Sequence, residues 1–297
     1  MHKNNDNMYI ALKNKERIIF ILSLLFVFMT SGCKNKNNDN KNNIETSSAQ
    51  VDSVDNDGII RQALPFPGEF SQITSIGSLN VVYTQGEKCS VEVEGPKKLV
   101  EIVKISVDSG TLMATINLEN NPNLNMFEKK TANLTLYVSS PILRIVSPCG
   151  NGSFKAIGTV RTDDLVAGTL GDGGIEFDTI YCDSFRFEGK NASSSSIKYV
   201  EAKNQIELLG DSKSTLDANI NSKGSTVLTM SNNSTCNVHG VSNSLEILAF
   251  NNSKSYVDVA TEKLDISAYN SGEVYFSGSY KSKSVKKANT SVVDIKQ

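Results

Sequence analysis

From Leu143 to the C-terminus, apolar residues fall at fixed places within a unit of about 20 residues. One pair precedes each polar break: Leu143/Ile145, Leu165/Ala167, Phe185/Phe187, Ile206/Leu208, Val227/Thr229, Leu245/Ile247 and Leu264/Ile266. A second pair follows the break: Phe154/Ala156, Ile175/Phe177, Ile197/Tyr199, Leu216/Ala218, Cys236/Val238, Val257/Val259, Val274/Phe276 and Val293/Ile295. A third column holds Val160, Ile180, Val200, Ile220, Val241, Ala260 and Tyr280. Alternation of period two marks strands with one buried face. Three inward columns per unit predict a coil of two or three short strands. One coil cannot bury its apolar side alone, so each is expected to stack on the next.

The polar breaks keep the same register. Asn151, Asp172, Asn191, Asp211, Asn232, Asn251, Asn270 and Asn289 follow one another at separations of 19 to 21 residues. Gly and Ser flank them. Asn and Gly tolerate positive φ, and an Asx side chain bonds local backbone, so these are turns. We expect the eight side chains to form a structural Asx ladder along one corner. Leucine-rich repeats share the period, but this run lacks a helical half-repeat and dense leucine spacing. A β-sandwich has turns every 8–12 residues and no reason to hold an Asx column in register. The pattern therefore predicts an all-β chain: a right-handed parallel β-helix-like solenoid with about 20-residue coils. Eight rungs about 4.8 Å apart give a rod of roughly 35–40 Å.

The earlier strands are less regular. Phe70 to Ile73 and Ile76 to Tyr83 alternate, Gln85-Gly86-Glu87-Lys88 reads as a hairpin turn, and Cys89 to Glu94 alternates again. Pro96 opens a short helix through Leu99, Val100 and Val103. Val107 to Leu112 reads as strand, turn, strand. Asn120 to Lys130 reads as a loop and Ala132 to Val138 as a further strand, with Pro141 leading into the coils.

The N-terminus carries a different signal. Ile18 to Met29 is apolar except for Ser23, after a polar stretch of cationic balance. That length suits a signal-peptide h-region better than a membrane span. Thr30-Ser31-Gly32-Cys33 follows and resembles a bacterial lipobox, with Thr30 in place of the usual leucine. The resemblance implies acylation of Cys33 and stable anchoring by two or three chains. Residues 34–58 are rich in Asn, Lys, Asp and Ser and read as a disordered tether, with a reach of about 25–30 Å. The expected organisation is a signal peptide over 1–32, an acylated cysteine and tether over 33–64, and a β domain over 65–297. Within that domain, irregular strands span 65–140 and regular coils 141–297.

The run Phe70…Ile73…Gly77-Ser78-Leu79-Asn80-Val81…Tyr83…Gln85-Gly86, then Val91 to Gly95, Leu99 and Gly110-Thr111-Leu112, resembles the start of the head GIN domain. That family is described as auto-transporter adhesins. The resemblance would cover about residues 66–297. It implies a β-helix-like fold and a lipoprotein of the Gram-negative envelope; our expectation is an outer membrane lipoprotein, periplasmic or surface-exposed. It supplies no functional residues to carry over, and this chain shows no autotransporter barrel.

Composition narrows the chemistry. Lys3, Lys13, Lys15 and Arg17 against Asp6 and Glu16 give residues 1–32 a net +2; with −2 overall, the remainder carries −4. A mildly acidic chain without a basic run argues against nucleic acid. Beyond residue 32 the one histidine is His239. That leaves no histidine cluster for a metal, and a Ser-His-Asp arrangement would have to use it. Cys89, Cys149, Cys182 and Cys236 are even in number and permit disulfides. Cys236 lies in an apolar column, and free buried thiols are the expectation. Asp163-Asp164 and Asp172 are the acidic candidates. Gly171-Asp172-Gly173-Gly174 could pass for a calcium or phosphate loop, but it lacks nonapeptide spacing and a following Lys-Ser/Thr, and turn chemistry explains it. Asp52-Ser53-Val54 and Asp178-Thr179-Ile180 resemble a short O-glycosylation signal.

These residues support a lipid-anchored binding or scaffolding module with no cofactor, no metal and no catalysis. A glycan or protein surface is the expected ligand, besides the membrane reached through the lipid. A polysaccharide-active β-helix enzyme and an envelope sensor component are the alternatives.

Overall fold

The computed structural model describes residues 58–66, 68–116 and 134–296. The signal peptide, Cys33, nearly all of the tether, the loop Asn120 to Lys130 and Ala132 lie outside the described residues.

The regular part runs through β8 (Ile145–Cys149), β9 (Phe154–Arg161), β10 (Asp164–Leu170), β11 (Ile175–Lys190), β12 (Ser194–Gly210), β13 (Thr215–Met230), β14 (Thr235–Phe250), β15 (Lys254–Tyr269), β16 (Glu273–Phe276), β17 (Tyr280–Lys287) and β18 (Val292–Ile295). All its pairings are parallel, each strand lying on the one about 20 residues later. The result is a β-solenoid of about eight turns. The coils at either end, β9 with β10 and β16 with β17, are made of two strands as expected, whereas from β11 to β15 the strands of a coil merge. Each of these middle coils is one continuous strand of 16 or 17 residues closed by a tight turn. Irregular register at Phe177/Thr179, Cys182/Ser184, Ile197/Val200 and Ser222/Ser225 bends it around the core.

The residues before the regular coils extend the same stack. They form β1 (Ile59–Ala63), β2 (Gln72–Ile76), β3 (Asn80–Gln85), β4 (Ser90–Pro96), α1 (Lys97–Val100), β5 (Val103–Asp108), β6 (Thr111–Ile116) and β7 (Thr135–Ser140). β2 lies parallel between β6 and β8, and β3 parallel between β7 and β9. The chain thus lays down one layer, leaves it, and returns on both sides of it. β4 then pairs antiparallel with β7, β1 with β4, and β5 with β6. These reversed strands close the N-terminal end of the stack and leave it no long parallel edge.

The expected hairpin at Gln85-Gly86 does not form, because β7 sits between β3 and β4. Alternation marks a strand but not its partner, and β7 fits both neighbours by burying Leu136 and Val138 beside Val81, Tyr83, Val91 and Val93. The turn at Ser109-Gly110 is a hairpin, with φ of 49 and 76.

The core follows the columns with four slips. In β8 the inward residue is Val146, not Ile145. In β13 the inward set is Thr226, Leu228 and Met230, so Val227 and Thr229 face away. The irregularity at Ser222/Ser225 sets that register, and a one-residue slip exchanges the faces. Tyr199 turns outward and packs edge-on against Tyr181. Val241 is 53% exposed and Ala260 is exposed too, because Gly240 and Val259 take the positions stacked on Ile220. Through the core, Tyr83, Phe154, Phe177 and Phe185 form a chain of ring contacts. The buried Tyr83 hydroxyl donates to Ser140 O at 3.0 Å.

The C-terminal end is closed by charge. Lys283, Val285 and Lys287 stack on Leu264, Ile266 and Ala268, which are core positions, and all three are exposed. Charged residues at inward positions of a last strand disfavour further stacking. Among the described residues no helix is long and apolar enough to cross a membrane.

Candidate functional site

The tight turns share one corner of the rod. Asn191, Asn232, Asn251, Asn270 and Asn289 have φ between 50 and 59. Asn232 donates to Asp211 Oδ1 at 2.6 Å, Asn251 to Asn232 at 3.0 Å, Asn270 to Asn251 at 3.3 Å, and Asn289 to Asn270 at 2.5 Å. Five side chains therefore form an unbroken run of hydrogen bonds. Backbone bonds accompany it: Lys213 N–H to Asn232 O, Asn233 to Asn251 O and Asn252 to Asn270 O. Asp211 differs from the asparagines. Positive φ falls on Ser212 and Lys213 in its turn, so Ser231 is stacked on Asp211 and also donates to it, at 2.8 Å.

Asn151, Asp172 and Asn191 are exposed in the earlier turns, and the run described above begins after them. There Gly150 and Gly171 carry the positive φ, at 112 and 136. A Cβ on Gly171 would lie 2.3 Å from Gly150 O, and one on Gly173 1.9 Å from Gly152 O. Close stacking of turn backbones accounts for the glycine run around Asp172.

A second column was missed. Ser193, Ser214, Ser234 and Ser253 are buried just after each turn. Ser234 Oγ donates to Gly210 O and accepts from Ser231 N–H; Ser253 Oγ repeats this with Met230 O and Phe250 N–H. The signal was present as a serine two places after each Asx or polar residue at the turn.

The opposite bend of the coils holds a cleft of about 500 Å³ at the level of β9 to β13. Arg144, Arg161, Asp163, Tyr181, Asp183, Glu201, Lys203 and Lys223 line it with Ile142, Thr162 and Cys182. Gln85 fixes its rim, accepting from Arg161 N–H at 2.7 Å and donating to Arg161 O and Pro141 O. The Arg161 guanidinium lies 4.4 Å from the Tyr181 ring centre. Lys203 pairs with Asp183 at 2.6 Å and Lys223 with Glu201 at 3.0 Å. Tyr199 OH donates to Glu201 at 3.1 Å, and the Asn221 amide reaches both. The bonds from Lys223 and then Tyr199 hold the Glu201 carboxyl below its usual range, and the bond to Asp183 raises Lys203.

Asp163 is in this cleft, but Asp172 is at the other corner, with the seven residues of β10 between them. That extended span is roughly 20 Å, too far for an acid–base pair of carboxylates. On the next coil, Asp183 accompanies Asp163, its N–H donating to Asp163 O. Asp178 is engaged elsewhere: it bonds Lys198 at 2.6 Å and accepts from Gly158 N–H, and these two bonds lower its pKa in that order.

His239 is exposed on an outward column and stacks on Asp258, which is followed by Ser277. These residues lie along a second concavity of about 550 Å³ with Gly240, Gly278 and Tyr280. Asp258 stands between His239 and Ser277, whereas a triad needs the imidazole between the other two. Among the described residues no group of three or more His, Cys, Asp or Glu is placed to hold a metal ion.

Cys89, Cys149, Cys182 and Cys236 are all free thiols. Burial, and then the nearby carboxylates of Asp183 and Asp164, push Cys182 up to about 12. Burial pushes Cys236 up to about 12 as well. Both are poor nucleophiles.

A bent parallel coil, a bonded Asx corner and a polar cleft at the bend define a β-solenoid. Residues 69–205 match the model of a family described as "Putative auto-transporter adhesin, head GIN domain". The coils continue past that match in the same register to residue 296. No curated protein matches the chain. Solved structures with the same fold include an adhesin, so described as putative, from Parabacteroides merdae: 12% identity, TM-score 0.63, 80% of this chain and 96% of that one. Another, from Parabacteroides distasonis and described in the same way, has 14% identity, TM-score 0.63 and coverages of 80% and 97%. A third, also from Parabacteroides distasonis, is described as a putative lipid binding protein, with 16% identity, TM-score 0.60 and coverages of 80% and 97%.

Proposed function

We propose that this chain is a binding module of a Gram-negative cell envelope, anchored through acylated Cys33 as an outer membrane lipoprotein. It engages glycan or protein surfaces with its outer face and carries out no catalysis. The observation that carries this reading is the division of labour within each coil. Inward columns are used by the core, so ligands meet only the turns, the outward side chains and the bend. The family match, with its adhesin description, supports a binding role. Lipid is the ligand named for one Parabacteroides distasonis structure, but the bend cleft of this chain is lined mainly by charged and polar groups, which favours a polar ligand.

Weak contacts from one module become useful when many are anchored together, because anchoring raises effective concentration. Two experiments test the proposal. Metabolic labelling with a fatty-acid analogue should mark the wild-type chain and not Cys33→Ala, with loss of membrane retention. Equal labelling of both would remove the anchor from the account. Retention of the full chain on a glycan or protein array, weakened by changes at the bend, supports the binding role; no retention on either counts against it.

A further inference from the structure

We propose that the bend cleft binds a carboxylated saccharide through Arg144 and Arg161; this rests on the binding-module reading and names its ligand class. Four arginines are described. Arg61 pairs with Glu92 at 2.6 Å, and Arg186 with Glu207 at 2.8 Å. Arg144 and Arg161 have no carboxylate partner among the described residues, and both line the same cleft.

Both are held through their backbones, and Arg161 through its side chain as well. Arg161 has both its N–H and its carbonyl bonded to Gln85, and its guanidinium is laid against Tyr181. Arg144 donates its backbone N–H to Ser71 O at 2.7 Å and accepts from Val166 N–H at 2.8 Å. Two of the cleft's three carboxylates are already paired with lysines, which leaves Asp163 as the one carboxylate of the lining without an ion pair among the described residues. A guanidinium is a planar fork of donors that matches a carboxylate in bidentate fashion.

The surroundings fit a sugar better than a peptide. Acidic peptides commonly add to an open sheet edge or seat side chains in apolar pockets. Here the strands at the bend are paired on both sides. The cleft instead offers the Thr162 hydroxyl, the Tyr181 hydroxyl and the Asp163 and Glu201 carboxylates, groups that can exchange hydrogen bonds with vicinal hydroxyls. Its volume of about 500 Å³ suits a small ligand or a chain end.

The test is calorimetric titration of the full chain in detergent with an oligogalacturonate. Parallel titrations use a neutral malto-oligosaccharide of the same length, an oligoglutamate and inorganic phosphate. Arg144→Gln, Arg161→Gln and the double variant are compared with Lys281→Gln, and each is first checked for an unchanged melting curve. The expected result is binding of the oligogalacturonate alone, at least about tenfold weaker in each arginine variant, lost in the double variant and unchanged in Lys281→Gln. No binding of the oligogalacturonate overturns the inference, as does binding the arginine changes leave intact. Equal binding of malto-oligosaccharide, oligoglutamate or phosphate overturns the assigned ligand class. If an array retains wild type and double variant equally, the binding-module reading survives and this site does not.

Discussion

Asn232 donates its side-chain amide to Asp211 Oδ1 at 2.6 Å, across one coil and 21 positions of sequence. Asn232 also accepts from Asn251 and holds φ 52. Two costs therefore meet at this residue. Asn232→Leu removes both amide bonds and places a bulky side chain at positive φ, and should destabilise by about 2–3 kcal/mol. Asn232→Gly keeps the conformation and loses only the bonds, so it should recover roughly half of that. Chemical denaturation of the two variants checks this; equal midpoints would mean that the turn conformation contributes nothing.

Asp211 anchors the run, and its ionisation should show in acid. Burial raises its pKa, but the bonds from Ser231, Asn232 and Ser212 outweigh that and the net effect is downward. A carboxyl depressed on folding contributes stability that is complete above its unfolded value and is lost as pH falls through its folded value. Asp211→Asn should thus melt below wild type at pH 7, and the gap should close below about pH 4. A gap that stays constant down to pH 2 would exclude the carboxylate.

Gly240 and Gly158 separate crowding from conformation. Both have positive φ, at 128 and 79. A Cβ on Gly240 would lie 2.0 Å from Ile220 O, while nothing lies within 4 Å at Gly158. Gly240→Ala should cost more than about 3 kcal/mol and Gly158→Ala about 1. Thermal melts of the pair decide it, and similar losses would contradict the close stacking.

Thr226 tests the register of β13. It is fully buried, and among the described residues its hydroxyl has no hydrogen-bond partner. Thr226→Val should stabilise by about 1 kcal/mol, since an unsatisfied buried hydroxyl is removed. Val227→Thr should be close to neutral, because Val227 faces outward. The reverse order of melting temperatures would restore the alternation expected from sequence.

These cases mark where sequence was legible. The period, the parallel stacking and the run from Asp211 to Asn289 were readable, because each coil repeats its turn chemistry and its apolar alternation. Thr226-Val227-Leu228 was not, because Thr and Val alternate equally well in either register and the deciding irregularity lies upstream at Ser222/Ser225. Val241 read as core because it is apolar, yet Gly240 holds the inward position. β7 between β3 and β4 was also invisible, since partner choice depends on contacts about 40 to 55 residues apart. The cleft was half visible. Asp163 stood out as a carboxylate, but Arg144, Tyr181 and Lys203 belong to three successive coils, and only stacking brings them together.

The central claim is that this solenoid binds through its outer face and leaves its ligand intact. The most direct measurement is reducing-end release when the full chain is incubated with a broad polysaccharide panel, with and without calcium. The account predicts retention of the bound polysaccharide with no new reducing ends. Release that is abolished by Asp163→Asn or Asp183→Asn would contradict it, because those two carboxylates share the cleft and no activated nucleophile is otherwise required.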